Sequence, residues 1–421
     1  MLSLIKELRP AALLANPKRA PTAEVQRKRV RAYTALVAEL LLNHLKGIGP
    51  AYHQMSKSSF AMYEFGYDIF KKVVDVCCEE NLIEIQVGFR TDGESVATTI
   101  QLSKRSLSHF EHWLREKESS KSNVFVEQKI TVPLVRAKYK RPPKIKGKKQ
   151  PAKEVPTEVL LQRDEVIHQW RALDQLNHFY DKHQLDGIRF HGLQRIYNNY
   201  NPEGPLLGGR FYAIGQSYQG LPSVQRTKLR IDGEQVCEID VKSSQLLVYA
   251  FVKAATSNKK NVLTQPESPF FTDPYSFPGV PRKVVKAMIT LLMGSTGKTR
   301  TWTPTQIKDL NDEGINLKDF AFKKVKSLVL ARYGFLQDES GQEVDWAFLQ
   351  LREADTVISA VRRLANEYEI PAYPVHDSII VKASDQGISE QVLKESFGSC
   401  FGYIPNLSVS HEAAPSPSKP N

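Results

Sequence analysis

The sequence predicts an α+β protein in two main parts: a mostly helical N-terminal region, then a larger domain in which strands are combined with helices. Three observations predict it. Apolar residues recur at helical spacing near the N-terminus, two alternating segments flank an Asp-Gly pair, and from Gly208 onward strand-like and helical stretches alternate around glycine turns. With 421 residues, of which 41% are apolar, the chain can bury more than one core.

In chain order, residues 32–46 place Leu36, Leu40, Leu41 and Leu45 on one helical face, and residues 67–78 repeat the pattern. Residues 82–87 and 95–100 then alternate around Asp92-Gly93, a dipeptide suited to a tight hairpin turn. Helices followed by such a hairpin resemble a winged-helix module, here spanning residues 1–135. Such a module either binds nucleic acid, with Lys71 and Lys72 near the contact surface, or packs as a small domain. Residues 136–155 carry Lys138, Lys140, Arg141, Lys144, Lys146, Lys148 and Lys149 among prolines, the composition of a mobile basic linker. Val166, Trp170, Leu173, Leu176 and Tyr180 form the apolar stripe of a helix that opens a domain spanning residues 156–410. Residues 411–421, rich in Pro and Ser, read as a disordered tail.

Charge narrows the partner. A net charge of +12 and a pI near 9.3 favour a polyanion, because each neutralised phosphate releases counterions, although basic proteins also bind acidic partners and membranes. Cys77, Cys78, Cys237 and Cys400 lack paired zinc-type spacing, so neither a structural zinc nor a disulfide framework is expected. A reducing cytoplasm, that of a bacterium or a phage-infected cell, is the expected compartment. No apolar window reaches membrane-spanning length.

Two aspartates carry the chemistry. Asp240 closes the apolar strand Gln235-Val236-Cys237-Glu238-Ile239 ahead of a helical run, and Asp377 lies between Tyr373-Pro374-Val375 and Ile379-Ile380-Val381, the centre of a hairpin. Each position alone is what a turn or helix cap also produces. If the strands are neighbours, the carboxylates converge and suffice for two magnesium ions, with manganese as a substitute, since such ions take few carboxylates and complete their shells with water and phosphates. Pro281 starts a helix in which Arg282, Lys286 and Thr290 fall on one face, placing cations where a triphosphate needs them; an ordinary amphipathic surface helix has the same pattern. The run Gly294-Ser295-Thr296-Gly297-Lys298-Thr299 is too short for a phosphate-binding loop.

The order of these segments resembles the family A polymerases, and within them the phage-type single-subunit RNA polymerases, over roughly residues 208–384. The resemblance implies a right-hand palm with an antiparallel sheet and helical fingers. Gly209-Arg210 is similar to the Gly-Arg element that contacts the template, Asp240 to the metal aspartate of motif A, with the Val241 carbonyl beside it, and Asp273-Pro274-Tyr275 to the segment ahead of the fingers helix. Arg282 and Lys286 are similar to the triphosphate-binding pair of motif B, and His376-Asp377-Ser378 to motif C, with Asp377 as second metal ligand and His376 near the primer terminus. Residues 349–358 resemble the helix leading into the catalytic hairpin.

The chain departs from the pattern at three places. Leu206 stands where an acidic residue is usual, Met293 replaces the aromatic residue of motif B one position early, and Gln245 occupies the position that shields the ribose 2′ site in DNA-making members. Methionine can cover a base or simply fill a core, and glutamine can exclude a hydroxyl or bond it. The implied function is a DNA-templated nucleotidyltransferase using nucleoside triphosphates and a nascent strand, with RNA or primer synthesis favoured over DNA synthesis. The alternative of another class is a non-catalytic DNA-binding protein on a degenerate polymerase fold.

Overall fold

The computed structural model describes residues 5–6, 8–14, 21–46, 49–53, 55, 57, 60, 65–90, 95–116, 132–143, 145, 150–188, 190–215, 217–257, 272–295, 299–337 and 346–412. The chain divides into two compact units. The first comprises residues 1–132, 183–192 and 213–233, the second residues 133–182, 193–212 and 234–421.

In the first unit, helix α1 (Ala23–Lys46) precedes strand β1 (Ala51–His53), and helix α2 (Gly66–Glu79) precedes strand β2 (Ile83–Gln86). Short strands β3 (Phe89–Arg90) and β4 (Ser95–Val96) pair with each other, strand β5 (Thr98–Leu102) returns, and helix α3 (Lys104–Glu116) follows. Strand β5 lies between β1 and β2, antiparallel to both, with Ile85 opposite Ile100. The core joins Leu36, Leu40 and Leu41 of α1 to Val73, Val74 and Cys77 of α2, Ile100 of β5 and Phe110 of α3. Leu45, expected on that apolar stripe, is 44% exposed. Asp92-Gly93, the expected hairpin turn, lies outside the described residues. Lys71 bonds Asp75 one turn along at 2.8 Å, and Asp68, Asp75 and Glu79 outnumber Lys71 and Lys72 on α2. Strands β7 (Leu185–Asp186) and β10 (Arg230–Ile231), from the later stretches, pair antiparallel.

In the second unit, strand β6 (Val135–Tyr139) runs parallel to β8 (Phe190–Tyr200), which neighbours β9 (Leu207–Gly215). The linker read from sequence therefore begins inside a sheet. Val135 and Ala137 are fully buried and alternate with Arg136 and Lys138, a two-residue period that the count of charges conceals. Lys144, Lys146, Lys148 and Lys149 lie outside the described residues. Helix α4 (Asp164–Tyr180) buries Val166, Leu173, Leu176 and Tyr180 of the predicted stripe, while its fifth member, Trp170, is half-buried.

The second sheet of this unit is antiparallel. Strand β11 (Glu234–Val241) is flanked by β13 (Ser378–Lys382) and β14 (Leu407–His411), and β12 (Tyr373–Val375) lies beyond β13. His411, assigned to the tail from sequence, instead ends a strand, while residues 413–421 lie outside the described residues. Helix α5 (Ser244–Ser257) follows β11, and α6 (Arg282–Ser295) packs on α7 (Pro304–Asp312) and α8 (Phe322–Arg332). Helix α9 (Trp346–Tyr368) packs on α5 and α10 (Gln386–Phe401), and α9 and α10 both lie against the sheet. Their cover explains why Ile379, Ile380 and Val381 are buried without alternation. No helix among the described residues is long and apolar enough to cross a membrane.

Candidate active site

The register of the central sheet brings the two aspartates together. Asp240, at the end of β11, lies opposite Ser378, the first residue of β13, so Asp377 is one position away across the ladder. The Val241 amide donates to the Asp377 carbonyl at 3.2 Å, tying the two segments through the backbone. Val375 pairs with Ser378, leaving His376 and Asp377 as a two-residue hairpin turn. The turn needs a left-handed residue, and His376 supplies it at φ +56° although glycine is the ordinary choice. Ser243, three residues beyond Asp240, is also left-handed at φ +61°. Non-glycine residues in that region cost about 1–3 kcal/mol each and persist where the surroundings over-determine them. His376 is exposed on the turn.

Beneath the aspartates sits a buried acid that the sequence reading left out of the site. Glu353, in the middle of α9, has a side chain only 1% exposed. One of its oxygens accepts from Ser244 Oγ and the other from Arg210 Nη2 at 2.9 Å. Burial pushes the Asp377 carboxyl up from 3.8 to about 7, with the negative charges of Glu353 and Asp240 adding to it and the Asp377 backbone amide and Arg210 opposing. Glu238, two residues before Asp240, is also buried and accepts from Ser378 Oγ at 2.8 Å. Glu353 carried one sequence signal. It occupies a core position of α9, in register with Leu349, Val357 and Ala360, where a charge is out of place.

The Gly-Arg element is explained first by packing. Gly209 is left-handed at φ +65°, and a Cβ there would lie 2.7 Å from Tyr197 Cε1 and 3.0 Å from Arg195 Nε. Arg195, almost wholly buried, donates from Nε to the Gly209 carbonyl at 2.8 Å, from Nη1 to Gln169 at 2.7 Å and from Nη2 to Asp355. Its guanidinium lies 4.8 Å from the ring centres of both Tyr197 and Phe211. Arg210, expected to contact template backbone, is instead turned onto Glu353 with its side chain 17% exposed.

Helix α6 places Arg282, Lys286 and Thr290 on an exposed face while Val284, Val285, Met288, Ile289 and Leu292 are buried opposite. Arg282 Nε bonds Asp273 at 2.7 Å and its guanidinium stands 4.9 Å from the Tyr275 ring centre; Lys286 Nζ is 6.0 Å from the same ring. At Asp273 burial works against ionisation, but the Arg282 bond, the Tyr275 amide and the charges of Arg282 and Lys242 outweigh it and hold the carboxyl below its ordinary range. Tyr275 connects this face to the aspartates. Burial raises its phenol, Ser243 and Arg282 oppose, and Asp377 and Asp273 push it the same way as burial. Gln245, in the first turn of α5, and Met293, in the last turn of α6, are both half-buried.

Among the described residues no group of three or more His, Cys, Asp or Glu side chains is placed to hold a metal ion. The Asp240–Asp377 pair nonetheless offers the hard carboxylate donors that magnesium takes when water and substrate phosphates fill the remaining positions. The crowding of negative charge that raises Asp377 is a field that suits a dication.

No family model and no curated protein matches the chain. Among solved structures it is similar to the polymerase domain of Pol1 from M. smegmatis in complex with DNA primer-template and dNTP. The identity is 14% and the TM-score 0.32, over 96% of this chain and 71% of that one.

Proposed function

We propose that this protein is a template-directed nucleic-acid polymerase that transfers nucleotides from nucleoside triphosphates to a 3′-hydroxyl, with ribonucleotides as its substrates. The observation that carries the reading is the β11–β13 register, which sets Asp240 beside the Asp377 turn. The sequence order that resembles family A polymerases supports it.

In this reading Asp240 and Asp377, with the Val241 carbonyl, hold magnesium or manganese. When bound, such ions supply positive charge to the attacking hydroxyl and the pyrophosphate oxygens. Arg282 and Lys286 bind the triphosphate from their shared exposed face and offset the charge that develops on its oxygens. Asp273 and Tyr275 hold the Arg282 guanidinium in place before the nucleotide arrives, which limits the ordering that binding must impose. Gln245 contacts the ribose 2′-hydroxyl through its amide, Met293 covers the base, and His376 lies at the primer terminus. Gly209 and Arg210 shape strand β9 behind the site rather than gripping the template, since the Gly209 carbonyl is held by Arg195 and the Arg210 guanidinium is committed to Glu353.

The test offers primed and unprimed DNA templates with labelled ribo- or deoxynucleotides and magnesium to the wild type, Asp240→Ala and Asp377→Ala. Extension that needs metal and falls by orders of magnitude in both variants is expected, with ribonucleotides preferred. Equal incorporation by all three proteins sinks the site, and a preference for deoxynucleotides moves the product to DNA. Product on the unprimed template identifies primer formation.

A further inference from the structure

We propose that the exposed face of helix α3 is a duplex-binding surface that grips phosphate backbone without reading sequence. It goes beyond the polymerase reading and stands without it. The observation is a row of three cations, Lys104, Arg105 and Arg115, with two histidines between them on one helical face, in which Lys104 and Arg105 form no ion pair among the described residues.

At 3.6 residues per turn, Lys104, Arg105, Ser108, His109, His112 and Arg115 fall within an arc of about 140°, and all six are exposed. Ser106 and Phe110, on the opposite side, are buried. Among the described residues Lys104, Arg105 and His109 form no ion pair, and the Arg115 side chain bonds only the Glu111 carbonyl, at 3.4 Å. Of the two acids on the helix, Glu111 borders the arc and is 3.7 Å from His44 of α1, while Glu116, the last residue of the helix, falls within it. Glu79 and Glu80 lie by the turn that Ser103 joins to the helix start, yet neither pairs with Lys104 or Arg105.

The helix is anchored as a working surface requires. Ser103 Oγ donates to the Asn81 carbonyl at 2.7 Å, Ser106 Oγ donates to the Leu82 carbonyl at 2.8 Å, and Phe110 is fully buried. The scaffold fixes the backbone from which these cations reach, so binding has only their side chains to order. The arc extends about 16 Å along the helix axis, against a duplex that carries one charge per roughly 1.7 Å. Its chemistry also selects among nucleic acids. The arc carries no Phe, Tyr or Trp on which an unpaired base could stack, and stacking is what single-strand surfaces rely on. No Asn or Gln stands on it to read adenine edges. Helix α2 is the poorer surface, since Lys71 is bonded to Asp75 and acids outnumber bases there.

The experiment measures binding of a labelled random-sequence DNA duplex to the full-length chain by fluorescence anisotropy between 50 and 200 mM salt. The variants are Lys104→Ala/Arg105→Ala/Arg115→Ala, Lys71→Ala/Lys72→Ala and Asp240→Ala, with circular dichroism to confirm folding. The triple variant should bind about tenfold or more weakly at low salt and flatten the slope of log K against log salt by roughly two to three. Lys71→Ala/Lys72→Ala should bind as the wild type does, and Asp240→Ala, which removes a negative charge from the candidate active site, should bind no more weakly. Wild-type affinity and slope in the triple variant overturn the proposal, as does equal loss on a single strand. Tighter binding of the wild type to anionic phosphatidylserine vesicles than to duplex overturns it too. A triple variant that misfolds is replaced by Arg105→Ala/Arg115→Ala, for which a loss of about two in slope is expected. Failure of the polymerase reading shows as no incorporation in the extension assay and leaves this result untouched.

Discussion

Replacing Asp377 by Asn should stabilise the metal-free protein while abolishing nucleotide incorporation. Burial, with Glu353 and Asp240 nearby, raises this carboxyl from 3.8 to about 7, so the folded state keeps a proton that the unfolded state has already released. Because the folded form binds more protons across that window, stability falls as pH rises from about 4 to 7 and the full penalty is present above it. At 1.36 kcal/mol for each tenfold change in proton affinity, the penalty at pH 8 reaches at most about 4 kcal/mol. Asparagine keeps the shape and removes the charge. At about 2 °C per kcal/mol for a unit of this size, thermal melting in EDTA at pH 8 should rise by roughly 4 to 8 °C in Asp377→Asn. The gain should shrink to less than half at pH 5, where the wild-type carboxyl is already neutral in the folded state. Magnesium should raise the wild-type melting temperature at pH 8 and leave the variant unchanged, since binding to the folded form alone stabilises it. A variant that melts at or below the wild type at pH 8, or a gain independent of pH, refutes the reasoning.

Three further changes probe the surroundings. Glu353→Ala leaves the Arg210 guanidinium buried without its partner and should destabilise the protein by about 3–5 kcal/mol in urea titrations; adding Arg210→Met should recover a large part of that loss, and strictly additive effects would show that the pair is not coupled. Gly209→Ala forces a Cβ against Tyr197 and Arg195 in a left-handed position, and should cost about 1–3 kcal/mol by the same measurement. Arg282→Ala removes a charge-assisted contact and should raise the nucleotide KM roughly 10- to 100-fold in steady-state incorporation, with an unchanged KM counting against its assignment.

Local patterns made much of the site readable. Asp240 closes a strand-like segment carrying apolar Val236, Cys237 and Ile239, and Asp377 interrupts an apolar run, so strand ends could be placed from residue types alone. Pro281 and the 3.6-residue period put Arg282, Lys286 and Thr290 on one face of α6, where the structure has them. Glu353 was not readable as a site residue because its partners, Ser244 and Arg210, lie 109 and 143 residues away. Nothing within a helical window reports such a pairing. Strand β6 was obscured by its own charges, and the addition of residues 183–192 and 213–233 to the first unit has no local signature at all. Gly209 was legible as a special backbone position, but its reason, room for Arg195, is a property of packing.

The strand that carries Asp240 is finished late. Its edges are closed by β13 and by β14, whose residues 407–411 follow β11 by about 170 positions. During synthesis, most of the second unit must therefore emerge before the backbone groups of β11 on that side find their partners. Until then β11 offers an open edge of the kind that other chains can pair with. Loops of this length also slow folding, because their closure entropy is spent before the sheet returns any energy. A nascent chain stalled ahead of β14 would carry both Asp240 and Asp377 and yet present them on an unfinished sheet, so the candidate site is complete only once residues 407–411 have emerged.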